Sequence, residues 1–225
     1  MKQLPTKQRI LDAALALFSQ KGYDATGVEE IARDVGIKAP SLYKHFSGKE
    51  AILEALVASI AETNKETHAV FSDDPEEAVA AWSSVRIDEW VSAERKRVEA
   101  LLRDTYAVRV RKFLTLEQFR DAQMAALFAD RVAEHEVSYY EHLFETLVKK
   151  RFWREVDART AALQYVAPIH VLIALCDAKP DRKRACMEML EAHIRSFCLL
   201  HQVDGAHGGG TRSTPVGRSL PVSLM

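Results

Sequence analysis

The sequence predicts an all-α protein, and three observations carry that prediction. Apolar residues recur at the 3.6-residue period along nearly the whole chain, no stretch alternates with period 2, and the breaks fall at glycine, proline and aspartate. The arrangement predicted is three short helices at residues 1–50, a larger helical domain at 51–201, and a tail at 202–225 whose Gly/Ser/Pro-rich composition suits flexible chain.

Each helix follows from local signals. Ile10, Ala13, Ala14, Leu17 and Phe18 make one apolar face, with Thr6 as the expected N-cap and Gly22 as the stop. Thr26 to Glu29 reads as a capping box, and Val28, Ile31, Ala32 and Val35 form the buried side of a two-turn helix ending at Gly36. Pro40 suits the first turn of a third helix, where Leu42 and Phe46 are spaced i, i+4. Ser47 to Glu50 is a second capping box, opening a helix toward Phe71 through Ile52, Leu53, Leu56 and Ile60. Asp73-Asp74-Pro75 marks a break, and further helical patterns follow at 75–92, 94–112, 116–151, 157–177 and 181–201, with Pro168 expected to kink the fourth of them.

The 225 residues hold 31 Lys and Arg against 32 Asp and Glu, a net charge of −1, which excludes a protein that binds nucleic acid with its whole surface. A local patch remains. Residues 1–50 carry eight basic and six acidic side chains, and 37–49 carry no acid at all. The segment 160–176 is short for a bilayer span and includes Gln164, Pro168 and His170, so a cytoplasmic protein without a membrane partner is expected. Cys176, Cys186 and Cys198 fall within apolar helical patterns and read as reduced core residues.

Two short helices joined by a glycine turn and packed on a third form a helix-turn-helix, whose second member enters the DNA major groove. The buried set leaves Lys38, Ala39, Ser41, Tyr43, Lys44 and His45 for the outward faces of the third helix. Thr26, Tyr43, His45 and Lys49 read as phosphate anchors, and Lys38, Ala39, Ser41 and Lys44 as candidates for base edges. Gly27 and Pro40 complete the expected DNA-facing set.

The stretch TGVEEIARDVGIKAPSLYKHFSGKEAIL at 26–53 resembles the DNA-binding signature of TetR/AcrR-type transcriptional regulators. It has a threonine before the second helix, a glycine turn, a Leu-Tyr-x-His-Phe recognition helix and a Lys-Glu pair opening the fourth helix. The resemblance covers about the first fifty-five residues. It implies a variable helical domain that binds a small molecule and dimerises through its last two long helices. Lys38 departs from the family pattern, which commonly has a small hydroxyl residue there, and lysine cannot cap a helix N-terminus.

Under that reading the expected effector-pocket residues are Trp82, Tyr106, Phe113, Phe128, Tyr140, Phe144, Tyr165 and His170. Residues 160–176 are apolar nearly all round, so that helix needs two covered faces; Leu163, Val166, Val171, Met189, Leu190, His193 and Phe197 are the expected homodimer residues. The basic stretch from Arg95 to Lys112 reads as a solvated face balanced by acids, with an inward arginine for an anionic effector as the alternative.

Several other chemistries lack their parts. Ser47-Gly48-Lys49 has Tyr43 where a phosphate loop needs glycine, and Glu50 where it needs a hydroxyl. His207-Gly-Gly-Gly has no accompanying GxSxG elbow, and His135, His142, Glu134 and Glu136 offer no convergent metal set. No enzyme, metal or cofactor is expected. The expected function is sequence-specific binding to a palindromic operator, with release by a small-molecule effector; the alternatives are a ligand-responsive activator and a helical adaptor that binds protein without DNA.

Overall fold

The computed structural model describes residues 4–71 and 86–202. They form α1 (Thr6–Lys21), α2 (Val28–Val35), α3 (Ala39–Leu42), α4 (Lys49–Phe71), α5 (Ile87–Arg103), α6 (Thr105–Glu117), α7 (Ala122–Ala129), α8 (His135–Lys149), α9 (Ala158–Ala178) and α10 (Lys183–His201). A π-helical turn, Asp130–Glu134, leads into α8, and a 3-10 turn, Pro180–Arg182, into α10. Among the described residues the one β-type pairing is a single bridge between Trp153 and Gln202. The predicted all-α class therefore holds. Trp82, the break at 73–75, His207 and residues 203–225 lie outside the described residues.

The chain divides into two compact units, Met1–Glu66 with Thr105–Ala129, and Thr67–Asp104 with Asp130–Met225. This differs from a division at residue 50. In the first unit Ile10, Ala14, Leu15 and Phe18 of α1 share a core with Ile31, Leu42, Ile52 and Leu56, and also with Val110, Phe113, Leu114 and Met124. The rings of Phe18 and Phe113 lie 6.1 Å apart and 27° from parallel. Burying one such ring contributes roughly 1.5–3 kcal/mol, which draws α6 onto α1 across a large gap in sequence.

Two of the long predicted helices are broken. Asp104 is extended (φ −70°, ψ 107°) and separates α5 from α6, while residues 118–121 separate α6 from α7. The Asp121 carboxylate then accepts from the Met124 N–H at 2.9 Å, satisfying one of the donors left free at a helix start.

Helix ends agree at the glycines and differ at the hydroxyls. Gly22 (φ 79°) and Gly36 (φ 75°) end α1 and α2 with positive φ, where a Cβ would be strained. At the starts, Pro5 precedes α1, so Thr6 is its first residue, not its cap. Gly27 precedes α2 and Gly48 precedes α4, so neither predicted capping box has its hydroxyl at the cap. The Thr26 hydroxyl instead donates to the Gly22 carbonyl at 2.9 Å.

The second unit is built on an aromatic cluster of Trp90, Tyr140, Phe144, Trp153, Tyr165 and Phe197. Trp90 Nε1 donates to the Tyr165 hydroxyl at 2.8 Å, so the two polar tips are paired where the rings are buried. Helix α9 begins at Asp157, whose side chain accepts from the Thr160 N–H, and it continues through Pro168. At 21 residues it is long and apolar enough to cross a bilayer by length and composition, longer than the segment read from sequence. Here Ala161, Ala162, Tyr165, Val166, Ile169, Leu172, Ile173 and Cys176 pack into the unit's core. The three cysteines are free and buried, and burial pushes the Cys176 thiol up to about 11 and the Cys198 thiol to about 12.

Candidate nucleic-acid interface

Helices α2 and α3 form the helix-turn-helix. Ile31, Ala32, Val35 and Leu42 anchor the pair to α1, and the Gly36 N–H returns to the Ala32 and Arg33 carbonyls to close the turn. Arg9 of α1 donates to the Val35 carbonyl, and Lys21 pairs with Glu30, so α2 is tied to α1 by polar contacts as well. Lys7 lies 5.5 Å from the centre of the Phe46 ring, capping the buried end of the recognition segment.

Lys38, Pro40, Tyr43, Lys44 and His45 are exposed, and Ser41 is half-buried. They form a cationic, hydrogen-bonding surface on a segment without acids. Ala39 is half-buried and packs against the unit's core, which reduces its reach toward a base. Lys38 stands at the N-cap of α3 with no side-chain hydrogen bond to the helix, as a donor-only side chain must. Gly27 is exposed, with nothing within 4 Å of the space a Cβ would fill.

Two expected phosphate anchors are placed differently. Thr26 is 1% exposed and its hydroxyl is already spent, so it acts inside the fold and not as a surface contact. Lys49 is half-buried; its Nζ donates to the Tyr23 carbonyl at 2.9 Å and to the Asp24 carbonyl at 3.4 Å, and lies 4.2 Å from the centre of the Tyr23 ring. An ammonium has three donors, so one remains for a phosphate.

The expected effector residues that the structure describes are divided between the two units. Tyr106, Phe113 and Phe128 belong to the first unit, and Phe113 is wholly buried against Phe18. Tyr140, Phe144, Tyr165 and His170 belong to the second unit, where the first three are core residues. There, Tyr140 donates to Glu94 at 2.6 Å, Arg97 pairs with Glu94 at 2.9 Å and with Glu136 at 2.7 Å, and His170 Nε2 lies 2.6 Å from Glu136. Arg97 Nη2 is buried and has no hydrogen-bond partner among the described residues. Burial alone would raise the Glu136 carboxyl, but the Arg97 charge and the His170 hydrogen bond outweigh it and hold the group at about 2.

From sequence the basic stretch reads first as a solvated face, with an inward arginine only as the alternative and Arg97 not singled out. Glu94 and Arg97 are spaced i, i+3 on one helix, a usable signal, whereas Glu136 arrives from a different helix. The neighbouring cations are balanced by acids: Arg95 by Glu99 and Glu191, and Arg103 by Glu99.

Of the expected dimer residues, Val166, Leu190 and Phe197 are at most 5% exposed and serve the core of their own unit, because α9 and α10 meet along that face. His193 Nε2 is 2.9 Å from the Tyr165 carbonyl, within the same chain. Leu163, Val171 and Met189 are exposed, as are Leu199 and Leu200.

Comparison with known proteins agrees with this geometry. The family model described as bacterial regulatory proteins, tetR family, matches residues 10–56. The Staphylococcus aureus protein IcaR, a negative transcriptional regulator of the biofilm operon icaADBC, is 51% identical over 51 residues, covering 23% of this chain and 27% of that protein. IcaR of Staphylococcus epidermidis is 50% identical over 46 residues, 20% of this chain and 25% of that protein. The chain thus spans about a quarter of the length of the curated relatives it matches.

Solved structures extend the likeness of fold over most of the chain. SmeT, the repressor of the Stenotrophomonas maltophilia multidrug efflux pump SmeDEF, is 22% identical with a TM-score of 0.55, covering 95% of this chain and 98% of that one. A TetR transcriptional regulator from Legionella pneumophila is 21% identical with a TM-score of 0.58, covering 87% and 98%. The Bacillus subtilis regulator FadR, solved with stearoyl-CoA, is 18% identical with a TM-score of 0.55, covering 86% and 98%. Residues 10–56 thus match the helix-turn-helix of bacterial regulatory proteins of the tetR family, and the chain shares its helical fold with solved regulators of that kind.

Proposed function

We propose that this protein is a cytoplasmic, homodimeric repressor that binds a palindromic DNA operator and is released from it by a small-molecule effector. The observation that carries the reading is the exposed, acid-free face of Lys38, Pro40, Tyr43, Lys44 and His45 on a helix-turn-helix that matches the family model. Lys44 and Ser41 are assigned to base edges, and Tyr43, His45 and Lys49 to phosphates. Repression is supported by the relatives named above, one a negative regulator and one a repressor.

Dimerisation is supported by α9 and α10, whose exposed Leu163, Val171, Met189 and Leu199 are apolar surface on two adjacent helices. Such a dimer would set the two recognition helices about one DNA turn, ~35 Å, or a multiple apart. The effector site is assigned to the second unit, around Arg97, His170 and Tyr140, where a buried guanidinium nitrogen awaits an acceptor. An effector that favours the DNA-incompetent arrangement would weaken DNA binding by a coupling of ~1–3 kcal/mol.

Selection from random duplexes, followed by mobility shifts at several salt concentrations, tests the reading. A palindromic preference is expected, with log affinity falling linearly in log salt by about 0.9 per phosphate contact. Salt-insensitive or absent binding to every duplex would refute it. In the same selection, changing Lys44 should relax the preference at a few base pairs while leaving the others intact.

A further inference from the structure

The turn between α1 and α2 carries a set of contacts that the helix-turn-helix itself does not supply. The Tyr23 ring has Lys49 Nζ 4.2 Å from its centre and the Arg120 guanidinium carbon 4.3 Å from it. Both cations pack on that one ring, so its position is tied to both. The Tyr23 N–H donates to Glu117 Oε1 at 2.8 Å. Glu117 Oε2 accepts from Arg120 Nε at 2.6 Å, and Arg120 Nη2 reaches the Asp24 carboxylate at 2.8 Å. The Tyr23 and Asp24 carbonyls are the same two that hold Lys49.

Glu117 is 7% exposed and is nearly a hundred residues from Tyr23 in sequence, yet both lie in the first compact unit. Gly22 permits the approach. A Cβ there would stand 3.2 Å from Glu117 Oε1, on a backbone at φ +79°.

We propose that Glu117 and Arg120 are positioning residues for DNA binding, holding Tyr23 so that the Lys49 ammonium is kept ready beside the start of α2 for a DNA phosphate. The inference rests on the DNA-binding reading. A lysine has a long flexible stem, and ordering it when DNA arrives would subtract its rotamer entropy from affinity. With two donors fixed on carbonyls and its ammonium over the Tyr23 ring, Lys49 has lost that freedom on folding and keeps one N–H for the phosphate. These contacts also bring residues of Thr105–Ala129, a segment joined at both ends to the second unit, into direct contact with the DNA-binding turn.

The test uses the full chain and two duplexes, one selected for tight binding and one of random sequence. Arg120→Ala should weaken binding to both about 3- to 10-fold, the effect of one side chain no longer ordered in advance, and leave the ratio between duplexes unchanged. In a Lys49→Ala background the same change should have no further effect, because the residue it positions is gone. Glu117→Gln keeps an acceptor for the Tyr23 N–H but drops the charge that holds Arg120, and should act in the same direction and fall silent in the same background. Arg120→Lys should recover part of the loss.

An Arg120→Ala or Glu117→Gln effect equally large without Lys49, or wild-type affinity in both variants, would overturn the proposal while leaving the DNA-binding reading intact. Failure of the wild-type chain to bind either duplex in a salt-dependent way would remove both.

Discussion

Replacing Glu136 by glutamine removes one charge from the buried cluster of the second unit while keeping the side chain's shape. In the native chain Glu136 accepts from Arg97 at 2.7 Å and lies 2.6 Å from His170. These contacts lower its carboxyl from 4.5 to about 2 against the opposing effect of burial. A difference of that size corresponds to stabilisation on the order of 3 kcal/mol at neutral pH. Loss of one partner from a buried pair has a similar magnitude, since Arg97 would keep only Glu94.

The sign follows from the lowered folded-state value. The stabilisation is present in full above the unfolded-state value near 4.5 and is lost as pH falls through about 2. Urea unfolding of wild type and Glu136→Gln, followed by tryptophan fluorescence, reports on this core because Trp90 and Trp153 both lie in it. The two proteins should differ by on the order of 3 kcal/mol at pH 7 and by roughly half of that at pH 3. A difference below about 1 kcal/mol at pH 7, or an equal difference at both pH values, would refute the reasoning.

Three further outcomes follow from the first unit. Thr26→Val keeps the buried shape but strands the Gly22 carbonyl, so stability should fall by about 1 kcal/mol while the salt dependence of DNA binding stays the same; a slope reduced by about one would return Thr26 to the phosphate contacts. Lys38→Ser supplies the missing N-cap of α3 and should stabilise the fold by about 0.5–1 kcal/mol while weakening binding to DNA; unchanged affinity would remove Lys38 from the interface. Gly22→Ala places a Cβ against Glu117 on a positive-φ backbone and should cost about 1–2 kcal/mol, read as a lower thermal midpoint; an unchanged midpoint would refute the close approach.

The differences between the sequence reading and the structure have a common origin at the helix starts. Thr6, Thr26 and Ser47 each carry a hydroxyl suited to capping, and each sits one position away from the residue that precedes the helix. Capping rules specify residue types within a turn, whereas the cap is decided by which backbone leaves the helix first. For Thr26 the deciding partner is the Gly22 carbonyl, a contact made across the α1–α2 turn.

Local signals alone determined the all-α class, the glycine ends of α1 and α2, and the exposed basic face of α3, because helix periodicity and positive-φ stops are written within a few neighbouring residues. What only the tertiary structure decided involves partners far apart in sequence. Phe113 packs on Phe18, Glu117 and Arg120 hold Tyr23, and Arg97 joins Glu94 to Glu136, while Val166, Leu190 and Phe197 pack into the core of their own unit. An apolar or charged residue announces that it needs a partner. Which partner it receives depends on how the helices pack, and no periodicity along the chain encodes that choice.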